Sequence, residues 1–374
     1  MADQQLITSS KVWFGGDPEI FLEHEGQIVG SEKAISAKGL TVYSGHWLSP
    51  LHAPAGELKI IRDGVQVELN LPPTNCREWL ALEIQRAFAL LVETLARNPE
   101  KRYDISFRQV VDVSPTELAS LSKLSRRLGC QPSFNWYSPL ITIEERLKDL
   151  GYTTDTYPKR SAGGHLHFGL PQDLMSERER LPPIFDILLG NTTVMIDRDP
   201  GAAERRQVYG RASEFRLPRH GIEYRTLSNF WLHAKELVSL VTGLGRLAIF
   251  VLDTSRTAAS KGGWAADQAL FDLVKMPDIE KAINTNDHVL AKANFEGVSE
   301  FLSRHHVTSQ KKEETGLNKG SLKDFNTFIT RLDADGLSAW FPQSPIDHWK
   351  YCDWMRGWEY FLVARVAPTR AGGA

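Results

Sequence analysis

Alternating polar and apolar positions mark four short segments of the chain, and alternation with a period of two predicts β-strands. The segments begin at residues 15, 65, 164 and 221 and read "GGDPEIF", "VQVELN", "GHLHFG" and "GIEYRTL". Since side chains two apart share a face of a strand, each segment has an apolar face and a face of acids, histidines or arginine.

Apolar residues spaced by three and four positions predict helices elsewhere. The prolines at 72 and 73 should end a strand. A helix is predicted to follow, with Asn75 as its expected N-cap. Its apolar series comprises Leu80, Ile84, Ala87, Leu91 and Leu95. The most apolar long run, "ELVSLVTGLGRLAIFVLD" at 236–253, contains glycines and an arginine. It therefore predicts a buried helix and not a membrane span.

Strand-like and helical segments do not alternate regularly, which favours an α+β fold with a largely antiparallel sheet over a parallel βαβ arrangement. We expect one domain over residues 12–255. The polar, helical pattern after it predicts a C-terminal helical region of unknown role over 256–374.

Composition narrows the class of protein. The 374 residues are 42% hydrophobic and 24% charged with a net charge of −2, which is typical of a globular chain and disfavours general electrostatic binding to nucleic acid. Three cysteines without a C-x-x-C pair argue against a disulfide framework or a zinc–thiolate site. The first residues show no signal-peptide pattern, so the expected location is the cytoplasm.

The polar strand faces suggest metal chemistry. Any one segment by itself is explained by an amphipathic strand with a solvated outer face. Solvated faces favour Thr, Lys, Ser and Arg, however, whereas the first three segments carry carboxylates and imidazoles and no lysine. Such a face suits Mg²⁺ or Mn²⁺, which prefer oxygen ligands, and Mn²⁺ tolerates imidazole better. Gly163 and Gly164 are expected to leave room beside His165 for the ion or its ligand.

A second cluster is cationic. The stretch 205–225 contains Arg205, Arg206, Arg211, Arg216, Arg219 and Arg225. Guanidinium groups match phosphate and carboxylate oxygens in a bidentate way. A nucleic-acid surface or a solvated loop is the alternative, but the interleaved Glu214 and Glu223 count against it. Metal ligands beside arginines predict phosphoryl chemistry, without a P-loop because no G-x-x-x-x-G-K-[ST] occurs.

Six segments in order carry a resemblance to a known family: "FGGDPEIFL", "GVQVELNLPP", "GCQPSFNWY", "RSAGGHLHFG", "RRQVYGRASEFR" and "GIEYRTLSNFWL". Over about residues 12–235 the chain resembles the phage carboxylate–amine ligases (amidoligases, COOH-NH2 ligase type 2), which are related to glutamine synthetase and γ-glutamylcysteine ligase. The resemblance implies a curved, glutamine-synthetase-like sheet that holds ATP and Mg²⁺ or Mn²⁺. It also implies that a carboxylate becomes an acyl phosphate, which an amine attacks to form an amide or isopeptide bond.

The resemblance also implies roles for individual residues. Metal ligands would be Asp17, Glu19, Glu68, His165 and Glu223. Nucleotide contacts would come from Asn70, His167, Arg206 and Arg225. Catalytic arginines, lining the path of phosphate and carboxylate, would be Arg211, Arg216 and Arg225.

One loop departs from the family pattern, since Gln131 and Ser133 stand where acids are usual. Recognition of the amine is therefore expected to differ if that loop contacts the substrate.

Other functions stay open at this point: a phosphotransferase on the same fold, a nucleotide-independent metallohydrolase, or a nucleic-acid-binding protein. We expect carboxylate and amine substrates of unknown identity, with nucleic acid only as a modified substrate, and no membrane partner. The family implies a phage origin and hence the host cytoplasm. The oligomeric state stays open.

Overall fold

The structure is a computed structural model, and it describes residues 12–43, 56–97, 101–126, 128, 133–138, 142–259, 266–306 and 341–350.

Within these residues, eleven strands form one sheet, and every pairing in it is antiparallel. The fold is therefore α+β with a large antiparallel sheet, as predicted. The strands are β1 Trp13–Gly16, β2 Glu19–His24, β3 Gln27–Val29, β4 Leu40–Tyr43, β5 Glu57–Asp63, β6 Gln66–Thr74, β7 Asp104–Ser106, β8 Val110–Asp112, β9 Phe134–Asn135, β10 Lys159–Ser161, β11 Leu166–Gly169, β12 Glu214–Arg216 and β13 Gly221–Tyr224. The central order is β3-β2-β6-β1-β11-β13-β12-β9, with β5 joined to β6, β4 to β5 and β7 to β2, while β8 and β10 form a separate pair.

The described residues also form twelve helices, several of which cover the apolar face of the sheet. They are α1 Arg77–Ala96, α2 Pro115–Ser120, α3 Lys123–Arg126, α4 Ile143–Asp149, α5 Leu181–Phe185, α6 Asn191–Val194, α7 Ala202–Val208, α8 Lys235–Ala259, α9 Ala266–Phe271, α10 Met276–Thr285, α11 His288–His306 and α12 Pro345–Lys350. Short 3₁₀ turns lie at Ser31–Lys33, Gln172–Leu174, Arg178–Arg180 and Asn229–His233, and a π turn lies at Asp186–Gly190.

Two local predictions are wrong. The N-cap of α1 is Cys76 in an extended conformation and not Asn75, because the helix begins one residue later than the capping pattern suggested. The prolines at 72 and 73 do not end β6, which continues to Thr74. Its pairing with β1 shifts register between Phe14 and Gly16, and such a bulge accommodates residues that cannot donate to the ladder.

The core lies between the sheet and the helices α1, α5 and α8. It contains the apolar positions of the alternating strands, such as Leu69, Phe168 and Ile222, each fully buried. Helix α8 is long and apolar enough to cross a membrane by length and composition, but 78% of its most apolar window is buried inside the fold. The predicted buried helix is therefore a central element of the core, on the apolar side of the sheet.

Helices α9, α10 and α11 continue the fold after α8. Their apolar residues, among them Leu270, Ile283 and Phe295, belong to the same buried cluster as the sheet core. The expected domain boundary at residue 255 falls within α8. Division into a catalytic domain and a C-terminal region stays a prediction.

Candidate active site

The sheet register brings together the polar faces of the predicted strands. Directly opposite residues of antiparallel neighbours project from the same face, with Cβ atoms about 4.5–5.5 Å apart. Glu19 lies opposite Glu68, and Glu223 lies opposite His167 on one side and Arg216 on the other. One sheet face therefore carries carboxylates, imidazoles and guanidinium groups from residues that are far apart in sequence.

The first cluster on this face contains Asp17, His167 and Glu223. One potential ligand atom from each lies within 4.8 Å of the other two. Asp17 Oδ1 is 3.1 Å from His165 Nδ1 and 3.3 Å from His167 Nε2, and His165 Nδ1 is 3.8 Å from Glu223 Oε1. Both histidines thus lie beside the acids, and their separate roles as metal ligand and phosphate contact stay a prediction.

The second cluster contains Glu19, Glu68 and a residue that the sequence reasoning missed, Asp63. Ligand atoms of these three carboxylates also lie within 4.8 Å of one another. Asp63 ends β5 opposite Gln66, and Gly64 follows it with a φ of 62°. An Asp-Gly pair between two strand-like runs is a hairpin signal, which would have placed Asp63 beside the polar face of β6.

Burial and mutual repulsion act on the second cluster. Burial, and then the charges of Asp17 and Asp63, raise the pKa of Glu68 to about 8. The pKa of Glu19 is also raised well above its ordinary value, first by burial and then by Asp63. Burial likewise raises the pKa of Asp63, although a hydrogen bond with Glu19 opposes this. The buried Glu19 and the half-buried Asp63 and Glu68 together resist full ionisation, although the charge of Arg225 lowers the pKa of Asp63 in part.

The pKa shifts in and beside the first cluster have different causes, because histidines lie next to the carboxylates. Burial opposes ionisation of Asp17, but the charges and hydrogen bonds of His165 and His167 hold its pKa well below the ordinary value. Burial lowers the pKa of His165 and favours its neutral form. Burial also acts on His167, but the hydrogen bond and charge of Asp17 outweigh it and raise the pKa. His165 therefore has the protonation state that a metal ligand needs.

The space beside Gly163 and Gly164 is filled by neighbouring groups of the protein. A Cβ at Gly163 would lie 2.5 Å from His165 Nε2, and the backbone N–H of Gly163 donates to Glu19 Oε2 at 2.6 Å. A Cβ at Gly164 would lie 2.0 Å from the carbonyl oxygen of Ser228. The two glycines make room for the protein's own ring and chain and not, as predicted, for a ligand beside His165.

Two of the predicted arginines lie beside the clusters. Arg225 is almost fully buried, and its Nε is 3.1 Å from Glu223 Oε1. Its NH1 donates to Ser133 Oγ at 2.8 Å. Arg216 NH1 is 3.7 Å from the same oxygen of Glu223. Both guanidinium groups line the cavity that contains the second cluster.

The structure does not bring Arg206 or Arg211 to either cavity that surrounds the described site. Arg206 is buried and donates to Asn286 Oδ1 at 2.9 Å, between α7 and the turn that precedes α11. The backbone carbonyl of Arg211 accepts from Thr226 Oγ1 at 2.8 Å. A phosphate contact for Arg206 is therefore not supported, because adjacent residues on a helix point about 100° apart and Arg206 faces the C-terminal helices.

Sequence reasoning also missed Tyr209. Its hydroxyl lies 2.6 Å from His165 Nε2 and accepts a hydrogen bond from Arg225 NH2. The neighbouring Arg205, which had no assigned role, donates to the carbonyls of Thr226 and Leu227, each at 2.9 Å. Only the segment "RRQVYGR" as a whole had pointed to this part of the chain.

Two cavities lie along the polar face. One, of about 330 Å³, is lined by the second cluster, by Asp17 of the first cluster and by the arginines; its wall includes Asp17, Glu19, Asp63, Glu68, His165, Tyr209, Arg216 and Arg225. The other, of about 650 Å³, is mostly apolar, with Trp13, Leu71, Pro73 and Leu170 in its wall and Asn70, His167 and His220 as polar groups. The predicted nucleotide contacts Asn70 and His167 thus both line the apolar cavity.

The donor set fits hard divalent cations. Glu223 Oε1 is buried and has no hydrogen-bond partner of good geometry among the described residues, and the second cluster offers three carboxylates. Oxygen donors with one or two imidazoles are the set that Mg²⁺ or Mn²⁺ accepts. The clusters would hold two such ions.

Comparison with known proteins supports the family resemblance. A family model described as phage phiEco32-like COOH.NH2 ligase-type 2 matches residues 151–261. The predicted resemblance is confirmed over this segment, which contains His165, His167, Glu223 and Arg225. The carboxylates of β2 and β6 lie outside the matched range.

The other comparisons add little. No curated protein matches the chain. Among solved structures, a bifunctional glutathione synthetase from Pasteurella multocida matches with 12% identity and a TM-score of 0.38, covering 90% of this chain and 53% of that one. The chain thus spans about half the length of that structure.

Proposed function

We propose that the chain is an ATP-dependent carboxylate–amine ligase, which forms an amide or isopeptide bond through an acyl phosphate. The observation that carries this proposal is the single sheet face on which two carboxylate clusters meet Arg216 and Arg225. The match of residues 151–261 to a ligase family gives the reaction class. We also propose that the sheet is of the glutamine-synthetase type.

The proposed chemistry needs each part of this face. A carboxylate is a poor acyl donor because its leaving group is oxide, and phosphorylation replaces that leaving group with phosphate. Divalent ions at the two clusters would neutralise the charge of the phosphates. Arg225 and Arg216 would hold the oxygens of the transferred group as charge moves onto them.

The apolar cavity supports a nucleotide as the phosphoryl donor. Its volume of about 650 Å³ and mostly apolar wall suit a nucleoside base, while His167 belongs to the first cluster and Asn70 is hydrogen-bonded to Glu68 of the second. ATP would then lie along the sheet, with the base among Trp13 and Leu71 and the phosphates beside Asp17.

The smaller cavity is proposed as the acceptor side. It holds Gln66, Ser161 and Tyr209 next to the second cluster, with Leu128 and Ile143 at its wall. A cavity of about 330 Å³ accommodates a small molecule or the tip of a larger one, so we propose that the acid or the amine belongs to one of these. We also propose that the protein acts in the cytoplasm of a phage host.

Product analysis tests the proposal. Purified protein with ATP, Mg²⁺ and pools of candidate acids and amines should release ADP and phosphate. The reaction should require both the acid and the amine. Phosphorus NMR separates the outcomes. Stoichiometric pyrophosphate contradicts the acyl-phosphate route, a stable phosphorylated product without amine indicates a phosphotransferase, and metal-dependent hydrolysis unaffected by ATP indicates a metallohydrolase.

A further inference from the structure

We infer that Tyr209 is a positioning residue that holds both His165, a metal ligand in the proposed function, and Arg225, a phosphate contact. The inference rests on the proposed function for these two roles. It concerns one hydroxyl group that contacts both side chains at once.

Tyr209 contacts both partners directly. Its hydroxyl is 2.6 Å from His165 Nε2 and accepts from Arg225 NH2. The guanidinium carbon of Arg225 lies 4.9 Å from the centre of the tyrosine ring, and that of Arg205 lies 5.2 Å from it. The His165 ring meets the tyrosine ring edge-on, with centroids 5.4 Å apart. Tyr209 is only 8% exposed, so water cannot readily replace its hydroxyl.

The backbone fixes the position of the ring. Tyr209 follows α7 in an extended conformation, and Gly210 comes next with a φ of 71°. A Cβ at Gly210 would lie 2.2 Å from the guanidinium group of Arg205. Because Arg205 binds the carbonyls of the segment just after β13, the turn that carries Tyr209 is tied to the segment that carries Arg225.

A hydroxyl can serve His165 in both of the proton arrangements that the site requires. Without a metal, Nδ1–H can donate to Asp17 Oδ1 while Nε2 accepts from the hydroxyl of Tyr209. A metal at Nδ1 requires that nitrogen to be deprotonated, so the proton then lies on Nε2 and donates to the tyrosine oxygen. Phenylalanine offers neither contact and would leave a buried Nε2 without a partner.

The hydroxyl oxygen of Tyr209 also restrains the guanidinium group of Arg225. Ser133 Oγ holds NH1, and Tyr209 holds NH2, so both ends of the guanidinium group bind hydroxyls. A neutral hydroxyl acceptor restrains the group without adding a second negative charge to that of Glu223, which already lies 3.1 Å from Arg225 Nε. Ser133 is one of the two residues that depart from the family's acidic pattern, and its contact with Arg225 gives that departure a physical consequence.

Metal binding in the absence of nucleotide tests the first contact. Mn²⁺ titration followed by electron paramagnetic resonance should show affinity about 10- to 100-fold weaker in Tyr209→Phe than in the parent. Tyr157→Phe is the matched control, because Tyr157 lies in the same small buried cluster as Tyr209 but its ring packs against Tyr152. In a His165→Ala background, Tyr209→Phe should cause no further loss.

Nucleotide binding tests the second contact. At saturating Mn²⁺, Tyr209→Phe should weaken ATP binding several-fold, and this loss should shrink in an Arg225→Lys background. Tyr209→His, whose shorter ring cannot reach both partners, should reproduce the losses and replaces Tyr209→Phe if that variant does not fold. Parent-like Mn²⁺ affinity in a folded Tyr209 variant, or an equal loss with and without His165, would overturn the inference. A failure of the proposed ligase activity would appear instead as absent ATP turnover in the parent.

Discussion

Replacing Asp63 with asparagine should stabilise the metal-free fold and weaken metal binding at the same time. The substitution preserves shape and removes one charge from the cluster of Glu19, Asp63 and Glu68, whose ligand atoms lie within 4.8 Å of one another. Two full charges at that separation repel by about 3.5 kcal/mol at an effective dielectric constant of about 20. A residue that only packs the sheet would not give opposite effects on stability and affinity.

The size of the effect depends on pH. The folded pKa of Glu68, about 8, is above its unfolded value, because burial and then Asp17 and Asp63 raise it. The unfolded chain therefore binds fewer protons than the folded chain between about pH 4.5 and 8. The contribution of Glu68 to the stability of the metal-free protein is therefore fully present below its unfolded pKa and is lost as pH rises through about 8. The Asp63→Asn substitution removes part of the repulsion, so the variant should gain about 2 kcal/mol at pH 9 and almost nothing at pH 5.

Thermal unfolding in the presence of a chelator measures the first effect, and Mn²⁺ titration measures the second. We expect Asp63→Asn to raise the midpoint temperature at pH 9 by about 2 °C or more and to weaken Mn²⁺ binding at least about tenfold, which is ~1.4 kcal/mol. Asp104→Asn is the matched control, since that aspartate also lies on a strand of the sheet but its side chain is 66% exposed. A lower midpoint temperature at every pH, or unchanged Mn²⁺ affinity, would refute the reasoning.

Three further substitutions distinguish the roles of individual side chains. Arg225→Lys keeps the charge but loses the planar fork, so kcat should fall about a hundredfold for a lost contact of ~3 kcal/mol, and activity within threefold of the parent would remove Arg225 from the reacting phosphate. His165→Ala should weaken Mn²⁺ binding without nucleotide, whereas His167→Ala should mainly raise the ATP concentration required at saturating Mn²⁺; equal effects in both titrations would show that the two histidines share one role. Arg206→Met should leave ATP affinity within about twofold of the parent while lowering the midpoint of thermal unfolding, because Arg206 binds Asn286 and not the site, and a tenfold loss of ATP affinity in a folded variant would contradict that placement.

The alternating pattern by itself determined which side chains share the active face. Glu68, His167, Glu223 and Arg225 could be assigned to polar faces because the side-chain period of a strand is fixed at two by backbone geometry. The order of motifs then indicated a resemblance to a ligase family, which a match confirmed over residues 151–261. The α+β class and the antiparallel character of the sheet followed from the absence of regular alternation between strands and helices.

Strand order and register were decided only by the tertiary structure. They depend on packing between distant segments, and local sequence does not encode which strands become neighbours. The pairing of β5 with β6 places Asp63 beside Glu68, and the turn after α7 places Tyr209 against His165. Arg206 illustrates the converse: its place in an arginine-rich segment suggested the site, but its direction on α7 points it to Asn286. Gln131 lies outside the described residues, so its part in substrate recognition stays a prediction.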